Sequence, residues 1–91
     1  MNSGTLIFVR KGDFCIIKSG SEYYMSVLFP NFYQNSHFDV SKDFLIDIRD
    51  LIEGRDFDKL SLLAEDIRKN YKNYMDKEVE EVEIIKKELI Q

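Results

Sequence analysis

Residues 22–29, EYYMSVLF, carry the strongest structural signal in the chain. Alternation sends Tyr23, Met25, Val27 and Phe29 to one face of a strand and Tyr24, Ser26 and Leu28 to the other, so both faces are largely apolar. A strand apolar on both sides needs cover on both sides, which makes it an interior strand of a sheet with another layer packed on it.

The flanking residues supply that sheet. Leu6–Arg10 (LIFVR) and Phe14–Lys18 (FCIIK) are β-branched and aromatic, and Lys11-Gly12-Asp13 between them has the chemistry of a tight hairpin turn. Ser19-Gly20-Ser21 turns the chain into the interior strand, and Pro30-Asn31 ends that strand, because proline has no N–H to give a ladder. Phe32–Val40 (FYQNSHFDV) alternates only near its end and is expected to form a fourth, more exposed strand.

Beyond it the period changes. Ser41 is a candidate N-cap, Asp43 suits a first turn and Gly54 suits a C-cap, which frames a helix with Phe44, Leu45, Ile48, Leu51 and Ile52 on its apolar face. Asp56 or Asp58 caps a second helix, in which Leu60, Leu63, Ala64, Ile67 and Tyr71 repeat that spacing as far as about Tyr74. Residues 77–91 fit either element: Val82, Ile85 and Leu89 have helical spacing, Val82 and Ile84 alternate, and the abundance of Glu and Lys favours helix. The expected fold is therefore α+β. It is a single domain over residues 1–91, with a β-meander in 1–40 forming a four-stranded, mainly antiparallel sheet, and two or three helices from 41–91 packed on one face.

The 91-residue length accommodates one hydrophobic core, and 44% hydrophobic with 33% charged residues is a globular composition. No apolar run approaches the roughly 20 residues of a membrane span, and MNSGTLIFVRKGD lacks the pattern of a secretory leader. A cytoplasmic location and no membrane partner are expected. Cys15 is the only cysteine, which rules out an internal disulfide, and its apolar surroundings FCII point to an inert thiol.

The search for catalytic chemistry is negative. His37 is the only histidine, the four glycines are dispersed singly and form no phosphate cradle, and no nucleophile elbow is present. Neither an enzyme nor a cofactor or metal is expected. Tyr23, Tyr24, Tyr33 and Phe38 offer stacking surfaces, but strands that all precede the helices and the lack of a basic stripe argue against direct nucleic-acid binding.

Charge is the feature that stands out. The net charge is −4, yet residues 1–36 sum to +1, residues 37–66 to −5 and residues 67–91 to zero. On the expected first helix Asp43, Asp47 and Asp50 recur at i, i+4 and i+7, and Glu53, Asp56 and Asp58 extend the row. Any soluble helix carries a polar face. A surface that gathers the chain's whole net charge also suits a cationic protein partner and faster association with it.

Two stretches, SEYYMSVL (Ser21–Leu28) and LAEDIRKNYKNYMDKEVE (Leu63–Glu80), resemble small bacterial immunity proteins encoded beside polymorphic toxins, in particular those of contact-dependent growth inhibition. The resemblance implies a cytoplasmic antitoxin, a non-catalytic inhibitor that binds its cognate toxin domain, often a nuclease. It supplies no binding residues, because immunity proteins share a task and not a fold. The acidic row Asp43, Asp47, Asp50, Glu53, Asp56 and Asp58 is the candidate toxin-binding surface. The alternative is a small homo-oligomeric structural or regulatory module that self-associates through an exposed strand edge.

Overall fold

The computed structural model describes residues 2–30 and 40–90. Three strands follow one another as the hairpin chemistry predicts: β1 (Ser3–Arg10), β2 (Phe14–Ser19) and β3 (Glu22–Phe29). They pair antiparallel, with Ile16 opposite Met25 and Cys15 opposite Ser26. Gly12 and Gly20 take positive φ at the two turns, where a Cβ would be strained. β4 (Val40–Leu45) adds antiparallel to β3, setting Phe44 opposite Met25 and Asp43 opposite Ser26.

Two expectations are corrected here. Val40–Leu45 is a strand and not the start of a helix, so Ser41 caps nothing and α1 is reduced to Arg49–Glu53. Pairing with β3 prevails because it buries Phe44 completely, worth about 1.5–3 kcal/mol, and pairs the backbone of an otherwise open edge. The expected strand Phe32–Val40 lies outside the described residues except for Val40, which opens β4.

α2 (Phe57–Lys69) matches its expected start. Asp56 caps it by accepting the Lys59 N–H at 3.2 Å, and Leu60, Ala64 and Ile67 are buried at i, i+4 and i+7. The chain then tightens into a 3₁₀ segment, Tyr71–Lys77. The second correction follows. Residues 78–87 do not form a helix but supply two more strands, β5 (Glu78–Val79) beside β4 and β6 (Glu83–Lys87) parallel to β1. The sheet is therefore six-stranded and mixed, in the order β5-β4-β3-β2-β1-β6, instead of four-stranded and antiparallel. The α+β class stands.

The helices cover one face. There Phe8, Ile16, Met25, Val27, Phe29 and Phe44 meet Ile48, Ile52, Leu60, Ala64 and Ile67 in the main core. Arg68 locks α2 to the sheet, donating from Nε to the Leu28 carbonyl at 2.7 Å and from Nη2 to the Asp13 carbonyl at 2.6 Å, with an ion pair to the Asp13 carboxylate. β5 and β6 lie at opposite edges of the sheet, yet only residues 80–82 join them. The four residue steps from Val79 to Glu83 span at most about 14 Å, whereas five strand spacings in a flat sheet are about 24 Å. The sheet must curl strongly, with the connection as a strap across its helix-free face. Val82 is the strap's anchor, buried against Leu6, Ile17 and Tyr24.

Candidate protein-binding surface

The strap explains the placement of Asp43. Its side chain lies on the helix-free face of β4, only 6% exposed, and accepts the Val82 N–H at 2.7 Å. This carboxylate satisfies a backbone donor inside the protein. Asp43 thus leaves the surface row, and the expected i, i+4, i+7 alignment with Asp47 and Asp50 does not exist, because Asp43 is on a strand, Asp47 in the connection after it and Asp50 in the first turn of α1.

The other five predicted residues stay close in sequence, over residues 47–58; Asp47 and Asp50 border one hollow, whereas Asp58 borders another, with Arg10 and Arg68. Asp47, Asp50, Glu53 and Asp58 are exposed and Asp56 is half-buried. Within residues 47–58 five carboxylates stand against two arginines. Both arginines turn to backbone oxygens: Arg49 Nη2 donates to the Ser21 carbonyl at 3.0 Å, and Arg55 Nη1 donates to the Ile90 carbonyl at 2.8 Å. Asp56 is the one carboxylate of the group in an ion pair, with Lys59 at 3.6 Å, among those the described residues form.

A hollow of about 410 Å³ opens beside the start of this segment. Asp47 and Asp50 line it with Glu22, Arg49, Tyr23 and Leu45. Glu22 is a member that the sequence did not single out, since it sits at the start of β3 and reaches the acidic segment only through the β3–β4 pairing and the return of the chain into α1. The β3 alternation contained the signal, as it puts Glu22 on the face of Tyr24, but nothing local says that residues 45–50 fold back beside it.

Elsewhere the polar groups are tied to one another. The Tyr74 hydroxyl donates to Asp66, whose other oxygen accepts from Asn70 Nδ2 at 2.7 Å. The Tyr74 hydrogen bond, then the one from Asn70, holds the Asp66 carboxyl below the usual range, and the same contact pushes the Tyr74 phenol up to about 12. Tyr71 donates to Glu78, and Lys42 reaches the same carboxylate at 3.3 Å. Cys15 is half-buried on the helix-free face. Burial raises its thiol pKa, partly offset by a hydrogen bond with Ser26.

Among the described residues no three His, Cys, Asp or Glu side chains are grouped so as to hold a metal ion, and no helix is long and apolar enough to cross a membrane. His37, Tyr33 and Phe38 lie outside the described residues. No protein-family model, curated protein or solved structure matches the chain.

Proposed function

We propose that this protein is an immunity protein that binds and neutralises a cognate toxin domain through Asp47, Asp50, Glu53, Asp56 and Asp58, with Glu22 as a sixth member and Asp43 as an internal support. The observation that carries the reading is the unbalanced carboxylate charge of residues 47–58, whose two arginines are turned to backbone carbonyls. Such a surface is complementary to a cationic one. A nuclease is the toxin class that fits best, because a cleft that accepts phosphates is itself cationic. No catalysis is assigned to the chain, and the toxin is its partner, with no direct contact to nucleic acid.

The test is binding to the C-terminal domain of a toxin encoded immediately upstream, with association and dissociation followed at low and high salt. Combined replacement Asp47→Asn, Asp50→Asn and Glu53→Gln leaves the fold intact, since all three are exposed, slows association and flattens its salt dependence. A toxin domain that is neutralised at unchanged rates by this variant would remove the acidic segment from the interface. Absence of any neighbouring toxin that binds would remove the immunity reading.

A further inference from the structure

β6 closes the sheet at one end, and among the described residues no strand lies against its outer edge. Every residue of Glu83–Lys87 is exposed, with Ile84 at 42% and Ile85 at 67%. A bare edge holding two adjacent isoleucines is a template for another strand. Its charge pattern selects which one.

β6 carries a bulge at Ile85, where the pairing with β1 passes from Gly4 opposite Ile84 to Thr5 opposite Lys86. In consequence Glu83 and Lys86 share the sheet face of Ser3 and Thr5, and Ile84 shares the face of Gly4. A two-fold axis normal to the sheet returns each face to itself, so antiparallel self-pairing must set residues of the same face opposite one another. Glu83 against Lys86 meets that condition, occurs twice by symmetry, and leaves Ile84 and Ile85 of the two copies at the centre. We propose that this edge is a homodimerisation site, in which β6 of two copies pair antiparallel with Glu83 of each opposite Lys86 of the other.

Lysines and a bulge are the devices by which an edge repels unrelated strands, and a second copy is the strand that brings a carboxylate to Lys86. Lys86 already has Glu88, the residue just past the strand, at 2.8 Å, so dimerisation joins Glu83 to an existing pair. A five-residue strand pair buries less than the roughly 1,200 Å² of a stable interface, so the dimer is weak and depends on concentration. The proposal is independent of the toxin-binding reading.

Sedimentation equilibrium of the full chain up to about 1 mM, with circular dichroism to confirm folding, tests it on the wild type, Glu83→Lys, Lys86→Glu and an equimolar mixture of the two variants. The wild type is expected to dimerise. Each single variant sets like charges opposite at two places and weakens the dimer by on the order of tenfold. The mixture recovers association, because each introduced charge then meets its opposite. Amide shifts on dilution should be confined to residues 83–87 and their neighbours on β1. A wild type that stays monomeric, single variants that dimerise like the wild type, a mixture that fails to recover, or amide shifts on another face would each overturn the assignment.

Discussion

The carboxylate of Asp43 accepts the backbone N–H of Val82 at 2.7 Å, 39 positions away in the chain, and so fixes the strap to the sheet it crosses. Both partners are buried. A residue that the sequence places with the surface acids is an interior fastening, and its replacement should be read as a change in stability and not in binding.

Asp43→Ala strands the Val82 N–H away from water and is expected to cost about 1–3 kcal/mol in denaturant unfolding. Asp43→Asn retains a carbonyl oxygen able to accept the same proton and should cost less. Hydrogen exchange gives the local readout, with the Val82 amide losing protection in the alanine variant well before those of β2 and β3.

Arg68 joins α2 to the β3 carbonyl of Leu28 and to Asp13 in the β1–β2 turn, from two nitrogens of one guanidinium. Arg68→Ala should lower stability by about 1.5–3 kcal/mol, the range for hydrogen bonds made by a charged group. Arg68→Lys is not expected to rescue it, since an ammonium lacks the planar fork that reaches both oxygens. Thermal unfolding of the two variants side by side decides this.

The Asp66–Tyr74 pair predicts a signature at each end of the pH scale. The folded pKa of Asp66 is lowered, so its stabilising contribution is complete above the unfolded carboxyl pKa of about 4 and is lost as pH falls through the folded value. The folded pKa of Tyr74 is raised to about 12, so its contribution is complete below the unfolded phenol pKa of about 10 and is lost as pH rises through 12. Ultraviolet titration should show a tyrosine component near pH 12 that vanishes in Tyr74→Phe and moves towards pH 10 in Asp66→Asn.

Gly4 is buried in β1 between β2 and β6, and a Cβ there would lie 2.5 Å from the Lys18 carbonyl oxygen and 2.9 Å from Ile17 Cγ2. Alanine for glycine in a strand usually gains stability. Here the nearest atom is backbone, so Gly4→Ala should instead lose about 1–3 kcal/mol, measured by denaturant unfolding. A neutral or stabilised variant would mean that β1 and β2 separate there at little cost.

The elements that sequence made legible are those whose signal is local. β1, β2 and β3 carry dense β-branched and aromatic runs with glycine turns between them, and α2 has both a cap at Asp56 and an apolar stripe. Val40–Leu45 misled because Phe44, Leu45, Ile48, Leu51 and Ile52 fall at helical spacing between a candidate cap at Ser41 and Gly54, while the contact that makes it a strand, Phe44 beside Met25, is invisible without β3. Glu83–Lys87 misled for the same reason in stronger form: its residues are all exposed and its propensity is helical, and only the open edge of β1 makes it a strand. The acidic surface was legible as a segment, Asp47–Asp58, but its boundary was not, since Asp43 went inside and Glu22 came alongside from a distant strand.

The parallel pairing of β6 with β1 also bears on synthesis. β1 emerges from the ribosome before its outer neighbour, which is made of residues 83–87, some 80 positions later. Throughout that interval the nascent β1–β2–β3 meander presents Ser3–Leu6 as an unpaired edge, and no local turn shortens the wait, because the partner must arrive by way of α2 and the strap. Folding of the last strand therefore waits on a contact between the two ends of the described chain, which is slow to form, and the unfinished meander is the species most exposed to chaperones and to pairing with other nascent copies.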